Sequence, residues 1–181
     1  RQCVVGVGCS PCVPDALACQ GQDVVRCRPD GTSFDVVGTC DGAQQQVCAG
    51  GQCKDACALA ADSRDYEGCE YWAVDLDNAV VATQGAAAAQ QFSVVVSNAS
   101  LLDATVRVEL WCGSGTARSR HAYRVSSTAP IIAYQFNPLE NVGVFSNDAS
   151  LLLPNEALAG RYLVPSWPQT LARTEDPQGD R

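Results

Sequence analysis

His121 is the only imidazole in the chain, so a hydrolase built on a serine or cysteine nucleophile would need it as general base. It sits between Arg120 and Ala122 at an expected strand start, and no G-x-S-x-G nucleophile elbow occurs. Gly113-Ser114-Gly115 lacks that spacing and reads as a turn. We expect His121 in an exposed loop near Arg118, Arg120 and Arg124, whose charges disfavour its imidazolium. Asp75 and Asp77 share one face of a strand, with Asn78 next. Calcium takes about six to eight oxygens, and the EF-hand ligand series with its central Gly and final Glu is absent. A solvated strand face is preferred over a calcium site or a glycosidase carboxylate pair. Asp75 and Asp77 are the candidate metal ligands, and no metal or cofactor is expected. Arg118, Arg120 and Arg124, with Tyr123 among them, could clamp a carboxylate or sulfate. The competing reading pairs them with acidic neighbours. No catalytic residue is assigned, and the chain is read as a non-enzyme.

Sulfur offers the other chemistry. Of 11 cysteines, all but Cys112 lie between Cys3 and Cys69: Cys3, Cys9, Cys12, Cys19, Cys27, Cys40, Cys48, Cys53, Cys57 and Cys69. Cys9-x-x-Cys12 has the spacing of a zinc knuckle or redox motif, but zinc needs a second such pair, and no βαβ pattern surrounds it. Structural disulfides are therefore preferred, five within 3–69 with the pairing unassigned, and Cys112 free or intermolecularly paired. Residues 1–69 hold few large apolar side chains, the case in which covalent staples replace a core. Disulfides place the chain in an oxidising compartment, extracellular or in the cell envelope.

The elements that must hold these residues read as strands. Residues 23–27 and 32–37 flank Pro29-Asp30-Gly31 as a hairpin, and a short Ala-rich helix is expected over 55–61. From 70 onward apolar residues alternate: Trp72, Val74 and Leu76; Phe92, Val94 and Val96; Val106, Val108 and Leu110. Further strands are expected at 122–126, 131–137, 142–146 and 161–164. Turns are expected at 98–103, at Thr128-Ala129-Pro130, at Asn137-Pro138 and at 146–148. Residues 85–91 read as a surface connection or a short helix. Asn155 is expected to cap a helical turn ending at Gly160. Trp72, Tyr134 and Phe136 are expected in or beside the core. Gln135, Asn137, Asn147 and Asp148 are expected to bond turn backbone. Asn98-Ala99-Ser100 fits a glycosylation sequon, meaningful only in a eukaryotic secretory pathway.

With 12 basic and 20 acidic residues the net charge is −8, shared between both parts, which argues against nucleic-acid binding. No apolar run is long enough to span a membrane. The fold expected is mostly β: a disulfide-stapled module at 1–69, then an antiparallel β-sandwich at 70–181.

Residues 68–168 resemble the N-terminal domain of IgGFc-binding proteins. The matching pieces are GCEYWAVDLDN (68–78), FSVVVSN (92–98), AYRVSS (122–127), APIIAYQFNP (129–138) and SNDASLLLP (146–154). The resemblance implies a secreted or surface-displayed all-β protein of bacterial type, with a Cys-rich stretch ahead of the domain. It establishes no catalytic residues, and the immunoglobulin-binding label does not transfer safely to bacterial relatives. The segment WCGSGTARSR (111–120) is shorter than the family's and contains Cys112. The family domain also continues past Ser166-Trp167-Pro168, so the sandwich is expected to be incomplete, and the Met-less start at Arg1 suggests a processed piece. The function expected is an extracellular or cell-surface adhesion or binding module for a protein or glycan. The alternatives are a protease-inhibitor-like Cys-rich protein or an accessory domain of a carbohydrate-active enzyme.

Overall fold

A computed structural model describes residues 2–4, 8–75, 80–81, 85–86, 90–111, 122–139 and 148–161. The chain is mostly β, with antiparallel sheets throughout. Its first part is a string of short ladders. β1 (Gln2–Val4) pairs with β2 (Gly8–Ser10), and β3 (Leu17–Gln20), β4 (Asp23–Cys27) and β5 (Phe34–Thr39) form a meander. The β4–β5 turn is built as its residues dictate. Gly31 takes φ 70°, the Asp30 carboxylate accepts from Thr32 N–H at 3.0 Å, and Arg28 pairs with Asp35 across the hairpin at 2.6 Å. After a 3-10 turn at Gly42–Gln44, β6 (Gln46–Ala49) pairs with β7 (Gln52–Asp55). Helix α1 (Ala56–Ser63) follows, capped by Asp55, whose carboxylate accepts from Ala58 N–H at 2.8 Å.

These ladders bury little beyond Val24, Val25 and half-cystines, so disulfides hold them together. Cys12–Cys27 fastens the incoming segment to β4, Cys19–Cys48 joins β3 to β6, and Cys40–Cys53 joins the end of β5 to β7. Cys57–Cys69 then ties α1 to β8 (Gly68–Val74). The boundary drawn between residues 69 and 70 thus runs through a strand that one disulfide anchors to the Cys-rich part.

Beyond the small ladder of β9 (Val80–Val81) and β10 (Gly85–Ala86) come β11 (Ser93–Ser97), β12 (Val106–Trp111), β13 (Ala122–Asn137) and β14 (Asp148–Leu151). Gly85–Ala86 is therefore strand rather than helix. β13 joins β8, β11, β12 and β14. Its first half lies between β8 and β12, and its second half between β11 and β14. The expected turn at Thr128-Ala129-Pro130 is instead a bend within this one strand. Pairing with β8 slips between Ser126 and Ile131, so Pro130 sits where no partner calls for its missing N–H. Such an irregularity lets one strand pass from one layer to a second.

The layers meet through Tyr71 and Val125 of the first, Ile131 at the bend opposite Gly68, and Ala133 of the second, all buried, with Val94, Val106 and Leu152 packed around them. The Tyr71 hydroxyl donates toward the carbonyls of Ile131 and Tyr66, the latter at 3.0 Å. A second small cluster of Ala56, Leu102 and Ala129 docks α1 against the bend. Asn98 shapes the loop leading to Leu102: its side chain accepts from Ser100 N–H at 3.0 Å and donates to the Leu102 carbonyl at 2.7 Å.

Several expectations need correction. Tyr71 is the fully buried aromatic of β8, because the core lies on the Tyr71–Ala73 face, and Trp72 stays half-buried on the other face. Gln135 does not serve a turn; its side-chain Oε1 accepts from Val74 N–H at 3.2 Å and so links the two layers. Asp148 opens β14, opposite Asn137, instead of forming a turn. Pro154 rather than Asn155 precedes the 3-10 turn Asn155–Ala157, which has no side-chain cap. The strand expected at 142–146, most of that at 161–164, and Asn147 lie outside the described residues.

Candidate functional site

In the first layer, β8, β13 and β12 set Trp72, Arg124 and Glu109 in one cross-strand row, with Glu70, Ser126 and Arg107 in the next. Arg124 is not a free anion clamp. Its guanidinium donates to Glu70 and lies 3.6 Å from Glu109, which also pairs with Arg107 at 2.9 Å. The Glu70 hydrogen bond pushes the Arg124 pKa up further, with the charges of Glu70 and Glu109 acting the same way. This corrects the ligand-binding expectation for Arg124: neighbouring carboxylates already occupy it. Arg118, Arg120 and His121 lie outside the described residues.

Asp75 is exposed at the end of β8, and Asp77 lies outside the described residues. Among the described residues no three His, Cys, Asp or Glu side chains are grouped to hold a metal ion. Cys12 is bonded to Cys27, so the Cys9-x-x-Cys12 spacing closes no bridge of its own. Cys9 is also disulfide-bonded, and the register of β1 and β2 sets it opposite Cys3. Cys112 lies outside the described residues.

Three surface features remain that strand periodicity did not reveal. The first is a row on the outer face of the second layer. Register puts Val95, Tyr134 and Leu151 side by side on β11, β13 and β14, and they are 45%, 37% and 45% exposed. Ile132 and Phe136 flank Tyr134 on the same face, half-buried. The core-edge place expected for Tyr134 is thus a surface place. The second is a groove of about 370 Å³ beside the Cys12–Cys27 disulfide, walled by Val13, Leu17 and Phe34. The third is a groove of about 260 Å³ along α1, walled by Ala56, Leu59, Ala60 and Ser63. Those positions follow the i, i+3, i+4, i+7 spacing of one helix face, the signal by which the sequence could have shown it.

No family model matches the chain, and neither the curated proteins nor the solved structures include a match to it. The likeness to IgGFc-binding proteins rests on the sequence motifs alone. No helix among the described residues is long and apolar enough to cross a membrane.

Proposed function

We propose that the chain is a non-enzymatic binding or adhesion module working outside the cytoplasm, in the extracellular space or cell envelope, on a protein or glycan ligand. The observation that carries this reading is the Val95–Tyr134–Leu151 row, an apolar strip with one aromatic on a rigid three-stranded face. Side chains of that kind, held by backbone ladders, bind with little loss of conformational freedom, and contiguous apolar surface marks interaction sites. The disulfide framework supports the compartment, because such bonds persist where thiols are not kept reduced. The family resemblance supports surface display and nominates immunoglobulin Fc as one ligand to try.

The test is surface plasmon resonance of the oxidised protein against IgG Fc, together with a glycan array. Binding to at least one of these is expected, weakened about 30-fold or more by Tyr134→Ser at unchanged fold, as for a central aromatic anchor. Absence of binding to both, or binding untouched by Tyr134→Ser and Leu151→Ser, overturns the reading.

A further inference from the structure

The groove along α1 differs from the other two features in its charge. One face of α1 lines it together with Val47, Ser100 and Pro130, and Asp65 and Glu67, on the segment between α1 and β8, line it too. No Lys or Arg lines it among the described residues. One Asp65 oxygen accepts from Glu67 N–H at 2.9 Å, which fixes the loop. The half-buried Glu67 carboxylate has no ion pair or side-chain hydrogen bond among the described residues. Arg64, the nearest cation in sequence, caps α1 in the left-handed conformation at φ 53°, is exposed, and likewise forms no ion pair among the described residues. Negative charge does converge here. Burial is the main reason the nearby Tyr71 phenol is pushed up to about 12, and Glu67, Asp65 and Glu156 all push it the same way.

A groove with aliphatic walls, whose carboxylates meet no cation among the described residues, suits one class of group: a cation carried on an aliphatic stem. A lysine or arginine side chain lays its methylenes along apolar surface while keeping its charged end among polar partners. At about 260 Å³ the groove falls below the range usual for drug-sized ligands and fits a single long side chain. We infer that the α1 groove is a subsite for a basic side chain of a partner protein, with the stem against Leu59 and Ala60 and the cation at Glu67 and Asp65. This goes beyond the binding face proposed above and shares no residue with it, so either can fail alone.

The experiment is a ¹⁵N–¹H NMR titration of the oxidised full chain with acetyl-lysine-amide and acetyl-arginine-amide, using acetyl-norleucine-amide as the uncharged control. Saturable shifts are expected at the amides of Leu59, Ser63 and Glu67, with a dissociation constant on the order of millimolar. Glu67→Gln should weaken binding about tenfold, as loss of a charge-assisted hydrogen bond does. Asp65→Asn keeps an oxygen for Glu67 N–H and so tests the second charge without releasing the loop. Raising the salt to 1 M should weaken binding severalfold. Shifts equally strong with norleucine, shifts located elsewhere, or affinity unchanged in Glu67→Gln would each overturn the assignment. Loss of groove binding with Tyr134-dependent ligand capture intact would leave the broader function standing.

Discussion

Raising the pH should destabilise this protein through one phenol. Tyr71 is fully buried between the layers, and burial pushes its pKa from 10.0 to about 12. The Gly68 backbone works against the shift, and the carboxylates of Glu67, Asp65 and Glu156 add to it. A phenol whose folded pKa exceeds its unfolded one stays protonated in the native state while the unfolded chain ionises. Its contribution is therefore complete below pH 10 and is lost as pH rises toward 12. At about 1.4 kcal/mol per unit, the loss across that window is about 2–3 kcal/mol. For a domain of this size that corresponds to roughly 5–10 °C in Tm. The matched perturbation is Tyr71→Phe, which keeps the ring but leaves the Ile131 and Tyr66 carbonyls without this donor, at a cost of about 1–3 kcal/mol near neutrality. Urea unfolding of both proteins at pH 8, 10, 11 and 12 decides the matter, with absorbance at about 295 nm following phenolate formation. The variant should start lower and fall less, so that the two curves approach each other above pH 10. The tyrosines other than Tyr71 are common to both proteins and cancel in the comparison, as does any alkaline damage to disulfides. Parallel curves, or a native wild type in which Tyr71 ionises near pH 10, would refute the argument.

Two further outcomes follow from the stapled part. Gly51→Ala should lower stability by about 1–3 kcal/mol in urea unfolding at intact disulfides. Gly51 has φ 75°, and an added Cβ would come within 2.6 Å of the Leu17 Cβ and 2.9 Å of its backbone carbon. A peptide map of the unreduced chain should recover Cys12–Cys27, Cys19–Cys48, Cys40–Cys53 and Cys57–Cys69, together with Cys3–Cys9 from the β1–β2 register. Titration of the unfolded monomer should then find one thiol, at Cys112; a different pairing or no free thiol would contradict this.

What can be read from the residues follows the range of the forces involved. The β4–β5 hairpin, helix α1 and the alternating strands were legible because turn chemistry, the Ala-rich run after Asp55 and period-two patterning act between neighbours in sequence. Clustering of cysteines likewise pointed to a stapled segment without showing any partner, since pairing depends on which strands come together. The direction of each strand was less legible. In β8 both faces carry apolar residues, so period two could not say whether Tyr71 or Trp72 faced inward. In β12, Val108 and Leu110 keep the expected alternation yet remain 58% and 52% exposed, because alternation fixes a shared face and not what covers it.

The sequence by itself determined the composition of the molecule: disulfide-rich at the front, strand-forming behind, acidic overall, with a single histidine. Only the tertiary structure decided that 122–137 is one strand shared by two layers, since Thr128-Ala129-Pro130 is locally as good a turn as a bend. It decided that Arg124 is spent on Glu70 and Glu109, residues 54 and 15 positions away along the chain. It also set the α1 face against Pro130 and Glu67, and lined up Val95, Tyr134 and Leu151 across three strands. Each of those outcomes depends on contacts between residues far apart in sequence, whose free energy is settled by register and packing rather than by any local preference.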